Sequence, residues 1–429
     1  MPPAQSIYGL KQDPRAWFER FTSQLLHIGF CASTADGNLF ILRHGSSIAF
    51  LLLYVDDIII TGNTSSFVSS IIKLLGVDFD LKDLGLLHYF LGLQIDYTSS
   101  GLFVHQTKYA SDLLTKFGMT NYKPCKTTSS PNSHLLPNDS PLLSDPTPYR
   151  SLVGALQYLT FTRPDLSIAV QQACQHMSSP TQNHLQATKR ILRYVQGMLH
   201  FGIAFTSGPI SLSAYSDSDW AGDPVDRRSI TGMVLFFGNS PISWSTKKQG
   251  TVSRSSTEAE YRALASTTAE LYWIRMLLRD FGLFLPHPPL LWCDNVSALA
   301  IATNPVFHAR TKHIEVDYHF VREKVLRHDV MLKFISTHDQ LANLFTKSLP
   351  SPRFNWLTSK LMWKFPIRLR GDESHNNTES TGCPEHPNHE EEEGTPTTRT
   401  PTTNSSRTVS YRRLGKHKGR VKQNATVSH

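Results

Sequence analysis

Apolar and polar positions change period several times along this chain, and each change marks an element. Between positions 13 and 29, Trp17, Phe21, Leu25 and Ile28 recur at three- and four-residue spacing, which puts them on one face of a helix. Asp13 followed by Pro14 is a good helix start, and Gly29 a good stop. Positions 48–60 read differently. Eight apolar residues lead into Asp56-Asp57 and three follow, the lengths of two buried strands joined by an acidic turn. Beyond them the pattern predicts a helix over 67–75, a turn at 82–85, strands at 88–95 and 102–105, and a helix over 108–117. Pro, Ser, Thr and Asn then dominate 121–148, a linker or surface loop. Three helical patterns follow near 147–160, 165–177 and 182–196, bounded by Pro164, Pro180 and Gly197. Lys189, Arg190 and Arg193 cluster on the last of these, either as a phosphate grip or as a solvated basic face. Strand patterns at 211–216, 229–238 and 241–244 precede a long helix opening at 255 and a buried strand at 290–293. Residues 366–429 lose periodicity, with an acidic run at 390–393 and seven basic residues without an acid from 407 to 422, a disordered composition.

The expected organisation is α+β followed by α/β: an α+β front (1–120), a helical connection (121–204), an α/β domain (205–350) and a mostly disordered C-terminal extension (351–429). A 40% hydrophobic share over 429 residues is enough for two or three cores. Every apolar run falls short of the ~18–20 residues of a membrane span, and the opening Met1-Pro-Pro-Ala-Gln carries no signal-peptide pattern. The expectation is an intracellular protein, cytoplasmic or nuclear, neither secreted nor membrane-bound. Five scattered cysteines (Cys31, Cys125, Cys174, Cys293, Cys383) without close pairing read as reduced thiols. A net charge of +8 suits a polyanionic partner.

Two adjacent carboxylates between apolar strands are either an ordinary acidic turn or half of a divalent-metal site, since a central strand cannot bury them without a cation. The wording around them decides. Tyr54-Val55-Asp56-Asp57 resembles the catalytic hairpin of reverse transcriptases, and Tyr8-Gly-Leu-Lys-Gln12-Asp-Pro-Arg-Ala-Trp17 is similar to the preceding motif of Ty1/copia-type retrotransposon polymerases. Leu84-Gly-Leu-Leu-His88-Tyr-Phe-Leu-Gly92, Tyr149-Arg-Ser-Leu-Val-Gly154 and Thr162-Arg-Pro-Asp165 resemble later blocks of the same polyprotein, and 205–350 resembles its ribonuclease H domain. The resemblance implies a reverse-transcriptase palm with a helical thumb or connection, then a ribonuclease H-like domain. It implies RNA template, RNA–DNA hybrid and deoxynucleotides as partners, and Mg²⁺ as cofactor with Mn²⁺ able to substitute. Asp56 and Asp57 would then be catalytic metal ligands, with Lys11, Gln12 and Arg15 touching substrate. The family's other palm aspartate and fingers precede the Tyr8 block, where this chain has only seven residues, so the palm is expected to be truncated and polymerase activity lost.

A ribonuclease H site needs four acidic positions on separate elements. The resemblance selects Asp217 over Asp219 in the Asp217-Ser-Asp219 strand end, Glu260 in the Ala259-Glu260-Tyr261-Arg262 run, and Asp294 after the strand at 290–293. Ser255 and Glu258 have capping-box spacing, which gives Glu258 a structural task instead. His313 and Asp317 can share a helix face, but core and solvated roles suit them better. The fourth position departs from the family. Where relatives carry Gln-x-Ala-Asp-x-x-Thr-Lys, this chain has Gln340-Leu-Ala-Asn343-Leu-Phe-Thr346-Lys347, a neutral amide, with Asp339 four residues earlier, one turn away on the same face, offering partial compensation. Two readings follow: a reverse transcriptase and ribonuclease H segment, or a non-catalytic retrotransposon remnant that only binds nucleic acid.

Overall fold

The computed structural model describes residues 13–131, 135–303, 315–364 and 408–414. Helix α1 (Asp13–Ile28) buries Phe21 and Leu25 completely, with Trp17 and Ile28 packed beside them. Gly29, at φ +104°, turns the chain out of the helix in a conformation that costs a glycine little. Strands β1 (Cys31–Ala32), β2 (Leu39–His44), β3 (Ser47–Tyr54) and β4 (Asp57–Gly62) follow as an antiparallel run. Tyr54 pairs with Asp57, so Val55-Asp56 is a two-residue turn. Helix α2 (Ser65–Asp78) lays Val68, Ile71 and Leu75 on the same core. Next come β5 (Leu81–Leu86), β6 (Tyr89–Phe90), β7 (Leu93–Thr98), β8 (Gly101–His105) and α3 (Thr107–Lys116). Two expectations change here. The turn expected at 82–85 lies inside β5, and the strand expected over 88–95 is broken at Leu91-Gly92, both at positive φ (+48° and +79°).

The middle of the chain holds α4 (Thr147–Leu159), a short 3₁₀ turn at Pro164–Leu166, α5 (Ser167–Cys174) and α6 (Gln182–Gly197). Arg163 grips the wholly buried Asp165 through two bonds of 3.0 and 2.7 Å and donates to Met198 O, so this pair from the Thr162-Arg-Pro-Asp165 block ties the helices together. The segment expected to be a linker or surface loop is packed against the helices. Thr127 and Thr128 are buried, Arg190 donates to Thr127 Oγ1, and Arg193 donates to Lys123 O. Two of the three residues of the expected phosphate grip are thus engaged within the chain, while Lys189 stays exposed.

Strand β9 (Phe201–Thr206) precedes β10 (Leu212–Asp219), β11 (Ile230–Phe237), β12 (Ser240–Lys248), α7 (Ser256–Asp280), β13 (Leu290–Cys293), α8 (Val296–Thr303), α9 (Glu315–Leu326) and β14 (Met331–Phe334). A 3₁₀ helix (Leu341–Phe345), α10 (Ser351–Leu361), β15 (Trp363–Lys364) and β16 (Thr408–Leu414) complete the described elements. One sheet runs β12-β11-β10-β13-β14, with β10, β13 and β14 parallel. Leu264, Leu271 and Ile274 of α7 cover one face with Tyr318 and Val321 of α9. The other face, through Tyr215, Val234 and Phe236, shares a core with Leu156, Leu192, Val195, Phe345 and Leu357. The helical middle and α10 therefore pack against this sheet directly, and 351–361, expected in a disordered extension, is a helix with buried Phe354, Leu357 and Leu361.

The other two sheets are ordered β1-β2-β3-β4-β16-β5 and β15-β9-β8-β7-β6. The second joins strands near 90–105, 201–206 and 363–364, so it crosses the boundaries expected at 120, 205 and 350. In the first, the tail strand β16 pairs with both β4 and β5, inside the region whose composition reads as disordered.

Candidate active site

Parallel pairing of β10 with β13 carries both strands' C-terminal ends to the same edge, where an α/β sheet gathers its chemistry. Asp217 lies near the end of β10, opposite Gly232 of β11. A Cβ at Gly232 would stand 2.7 Å from both Phe345 Cβ and Thr346 Cγ2, so only glycine lets the 341–346 turn lie on the strand. That approach brings two donors to Asp217. The Thr346 hydroxyl donates to Asp217 Oδ2, and Lys347 Nζ stands 3.3 Å from the same oxygen.

Glu260 enters from the first turns of α7. Ser255 Oγ accepts the Glu258 N–H at 3.2 Å and caps the helix, while Glu258 itself accepts from Arg254 N–H at 2.9 Å and pairs with Arg262 at 2.6 Å. Glu258 is thus occupied with the helix end, as its spacing implies. Two residues on, Glu260 faces the sheet. Its Oε1 accepts the Ser218 N–H at 3.2 Å, and its Oε2 is buried with no hydrogen-bond partner. The Gln249 amide, donating to Thr231 Oγ1 and to Ala259 O, fixes helix to strand beside it. Asp294 follows β13, and one ligand-capable atom from each of Glu260, Cys293 and Asp294 lies within 4.8 Å of the others.

Crowding sets the electrostatics. Burial, then the negative charges of Asp217 and Asp294, push Glu260 up to about 9. Burial also raises Asp217, against the opposing pull of Lys347 and Thr346. Burial alone would lower Lys347, but Asp217, Asp219 and Asp294 lift it above its ordinary range, so it stays an ammonium. A divalent cation fits this donor set. Glu260 Oε2 is an acceptor without a donor, in a place where Asp217, Glu260 and Asp294 share the Lys347 ammonium.

Asn343, on the 3₁₀ helix, donates from Nδ2 to Thr337 O at 3.0 Å, and its Oδ1 is buried without a partner. Asp339 does not compensate for it. The residues before 341 form a turn, not an α-helix, and Asp339 is exposed, bonded to Ser336 Oγ at 2.8 Å and His338 Nδ1 at 3.1 Å. Lys347, Thr346 and Cys293 are the members that residue-by-residue reading missed. They were visible only as letters in the strings that hold Asn343 and Asp294.

At the other candidate site, Asp56 is exposed at the hairpin turn and Asp57 is half-buried at the start of β4. Among the described residues no third metal-ligating side chain joins them. Arg15 is exposed and pairs with Glu19 at 2.9 Å on its own helix, while Lys11, Gln12 and His313 lie outside the described residues. Asp317 is half-buried on α9 and raised by burial.

The reverse transcriptase (RNA-dependent DNA polymerase) family profile matches residues 3–131. The retrovirus-related Pol polyprotein from transposon RE1 of Arabidopsis thaliana is 48% identical over 358 residues, 83% of this chain and 24% of that polyprotein. The chain therefore spans about a quarter of that relative's length. A transposon Ty5-1 protein of Saccharomyces cerevisiae is 30% identical over 269 residues, 62% of this chain and 87% of its own length. Among solved structures, ribonuclease H1 of Halobacterium salinarum is 16% identical, matched over 32% of this chain and 94% of its own, with a TM-score of 0.25. No helix among the described residues is long and apolar enough to cross a membrane. On the identity and coverage of the two transposon relatives, this chain belongs to the Pol polyproteins of copia-type retrotransposons.

Proposed function

We propose that the cluster of Asp217, Glu260 and Asp294 cleaves the RNA strand of RNA–DNA hybrids, with Mg²⁺ or Mn²⁺ as the cofactor. The observation that carries this reading is Glu260 Oε2, a buried acceptor with no donor, beside two further carboxylates at the C-terminal edge of a parallel sheet. Asp217, Glu260 and Asp294 would hold the metal, with the carbonyl of Asn343 as a neutral fourth donor. The bound ion supplies Lewis acidity, making water nucleophilic near neutral pH and stabilising the leaving oxygen. The chain's own groups set the conditions for that. Ser218 N–H and Gln249 hold Glu260 and the start of α7 in place, and Lys347 pulls on Asp217 against the burial that raises its carboxyl.

Asn343 favours a second reading, a remnant that binds nucleic acid without cutting it, because an amide brings no charge to the metal. RNA-directed DNA synthesis is proposed as lost, since Asp56 and Asp57 gather no third ligand among the described residues. Following cleavage of a labelled hybrid across a Mg²⁺ titration separates the readings. The enzyme reading expects metal-dependent cleavage that falls at least a hundredfold in Asp294→Asn, and wild type that binds hybrid yet leaves it intact at every Mg²⁺ concentration leaves the remnant reading standing.

A further inference from the structure

Cys293 ends β13 wholly buried, one residue before Asp294, at the carboxylate edge. Its thiol neither forms a disulfide nor fills an apolar gap alone. Sγ accepts the Asn295 N–H at 3.4 Å, and Sγ, a Glu260 oxygen and an Asp294 oxygen all lie within 4.8 Å of one another. A cysteine near acids is not a site by itself. Here the Glu260 side chain is more than nine-tenths buried, and its Oε2 has no hydrogen-bond partner. Asp217, by contrast, is engaged by the Thr346 hydroxyl and by Lys347. The group with ligand atoms mutually close is therefore one thiol and two carboxylates, on β13 and α7.

Ligand chemistry distinguishes that set from an all-oxygen one. Hard Mg²⁺ takes oxygen donors and gains little from sulfur, whereas borderline-soft Zn²⁺ and softer Cd²⁺ prefer thiolate. Three protein donors with a fourth position left to water is a common zinc arrangement, with Zn–S near 2.3 Å and Zn–O near 2.0–2.2 Å. Ligand atoms in such a tetrahedron stand roughly 3.5 Å apart. The observed spread needs side-chain closure on the scale of about 1 Å. Asp294 is partly exposed and offers the route in.

We propose that Glu260, Cys293 and Asp294 form a soft-metal site for Zn²⁺ that shares two carboxylates with the proposed Mg²⁺ site, so that Zn²⁺ occupancy excludes the hard metal and shuts the site. Binding forms a metal–sulfur bond, and the thiol proton leaves to solvent; no electron transfer is involved. The proposal needs the carboxylates' positions but not cleavage, so its test reads the metal–sulfur bond itself.

The full-length chain would be stripped of metal, titrated with Cd²⁺ as the probe, and followed by the ultraviolet charge-transfer band of a cadmium thiolate. A saturable band with one-to-one stoichiometry is expected, absent in Cys293→Ser and at least tenfold weaker in affinity in Glu260→Gln. Zn²⁺ should displace the Cd²⁺ and bleach the band. The other four cysteines are present in both chains, so a band undiminished in Cys293→Ser overturns the proposal. Should Cys293→Ser fail to fold, Glu260→Gln decides alone, because it keeps the side chain's size and an acceptor for the Ser218 N–H while removing the carboxylate ligand; unchanged Cd²⁺ affinity there overturns the proposal too. A chain that binds Cd²⁺ as expected but never cleaves hybrid defeats only the ribonuclease reading, and one that cleaves with Mg²⁺ but shows no cadmium thiolate defeats only this one.

Discussion

Asn343 and Glu260 show how much of this site turns on single atoms. Asn343 Nδ2 donates to Thr337 O, so an aspartate there loses a donor, sets two acceptors face to face, and adds a buried negative charge. Without metal, Asn343→Asp should lower the melting temperature, by about 1–3 kcal/mol of stability. With saturating Mg²⁺ the same charge strengthens metal binding, and hybrid cleavage should rise about tenfold, equivalent to roughly 1.4 kcal/mol of barrier. Equal rates for wild type and variant at every Mg²⁺ concentration would show that the fourth position does not limit turnover. Glu260 gives a pH signature. Its folded pKa is raised to about 9 from an ordinary 4.5, so between those values the unfolded chain has released a proton that the folded chain keeps. Metal-free stability must then fall as pH rises through that window, with a limiting slope of about 1.4 kcal/mol per pH unit for one proton. Asp217, also raised, acts in the same direction. Thermal melts from pH 5 to 9 should show this decline, Mg²⁺ should offset more of it at higher pH, and Glu260→Gln should flatten it. A Glu260→Gln profile as steep as wild type would place the titration elsewhere.

Elements follow the sequence where their cause is local, and depart from it where the cause is distant. The period-3.6 stripe of α1 and the apolar runs of β3 and β4 are written in neighbouring residues, and they form as read. The 82–85 segment is different: its Gly and charged residues signal a turn, but β16, more than 300 residues away in the chain, pairs with it and makes it a strand. No local window contains that partner. The Lys347–Asp217 contact is hidden for the same reason, being made across 130 positions. At the hairpin, Val55 holds φ +49° at the first turn position, where a β-branched residue is strained. Val55→Gly should stabilise the chain by about 1 kcal/mol, read as a rise in the denaturation midpoint at constant slope. Asp56 beside it is exposed, and the two carboxylates have no third ligand among the described residues. Primer extension on an RNA template with Mg²⁺ should therefore stay at background. Extension above background that vanishes in Asp56→Asn would reverse that expectation.

Across the whole molecule, α7 acts as the connecting beam. Glu260 sits near its start and Asp280 is its last residue, about 30 Å along the axis at 1.5 Å per residue. The front sheet is fastened to that far end. Asp280 Oδ2 accepts from Ser33 Oγ at 2.6 Å, Thr34 N–H at 2.9 Å and Ala35 N–H at 3.3 Å, and Arg43 donates to Asp280 O at 3.0 Å. Trp273 Nε1 donates to Ala35 O at 2.9 Å, and Phe50 meets Phe281 edge-on at 5.0 Å. Burial would raise Asp280, but the bonds from Ser33, Ala35 and Thr34 outweigh it and hold the carboxyl below its ordinary range. A depressed folded pKa contributes stability that is present above the unfolded value and is lost as pH falls through the folded one, so this attachment should loosen only in acid. Asp280→Ala should release the front sheet without disturbing the carboxylate cluster at the other end of the helix. Hydrogen exchange at neutral pH is the direct measurement: the Thr34 and Ala35 amides should lose about tenfold or more of their protection, while the Ser218 amide, bonded to Glu260, keeps its own. Charge-assisted bonds to one carboxylate support a local effect of about 2 kcal/mol. If Thr34 and Ala35 exchange at wild-type rates in Asp280→Ala, the sheet is held by Trp273, Arg43 and the Phe50–Phe281 contact, and Asp280 is not its anchor.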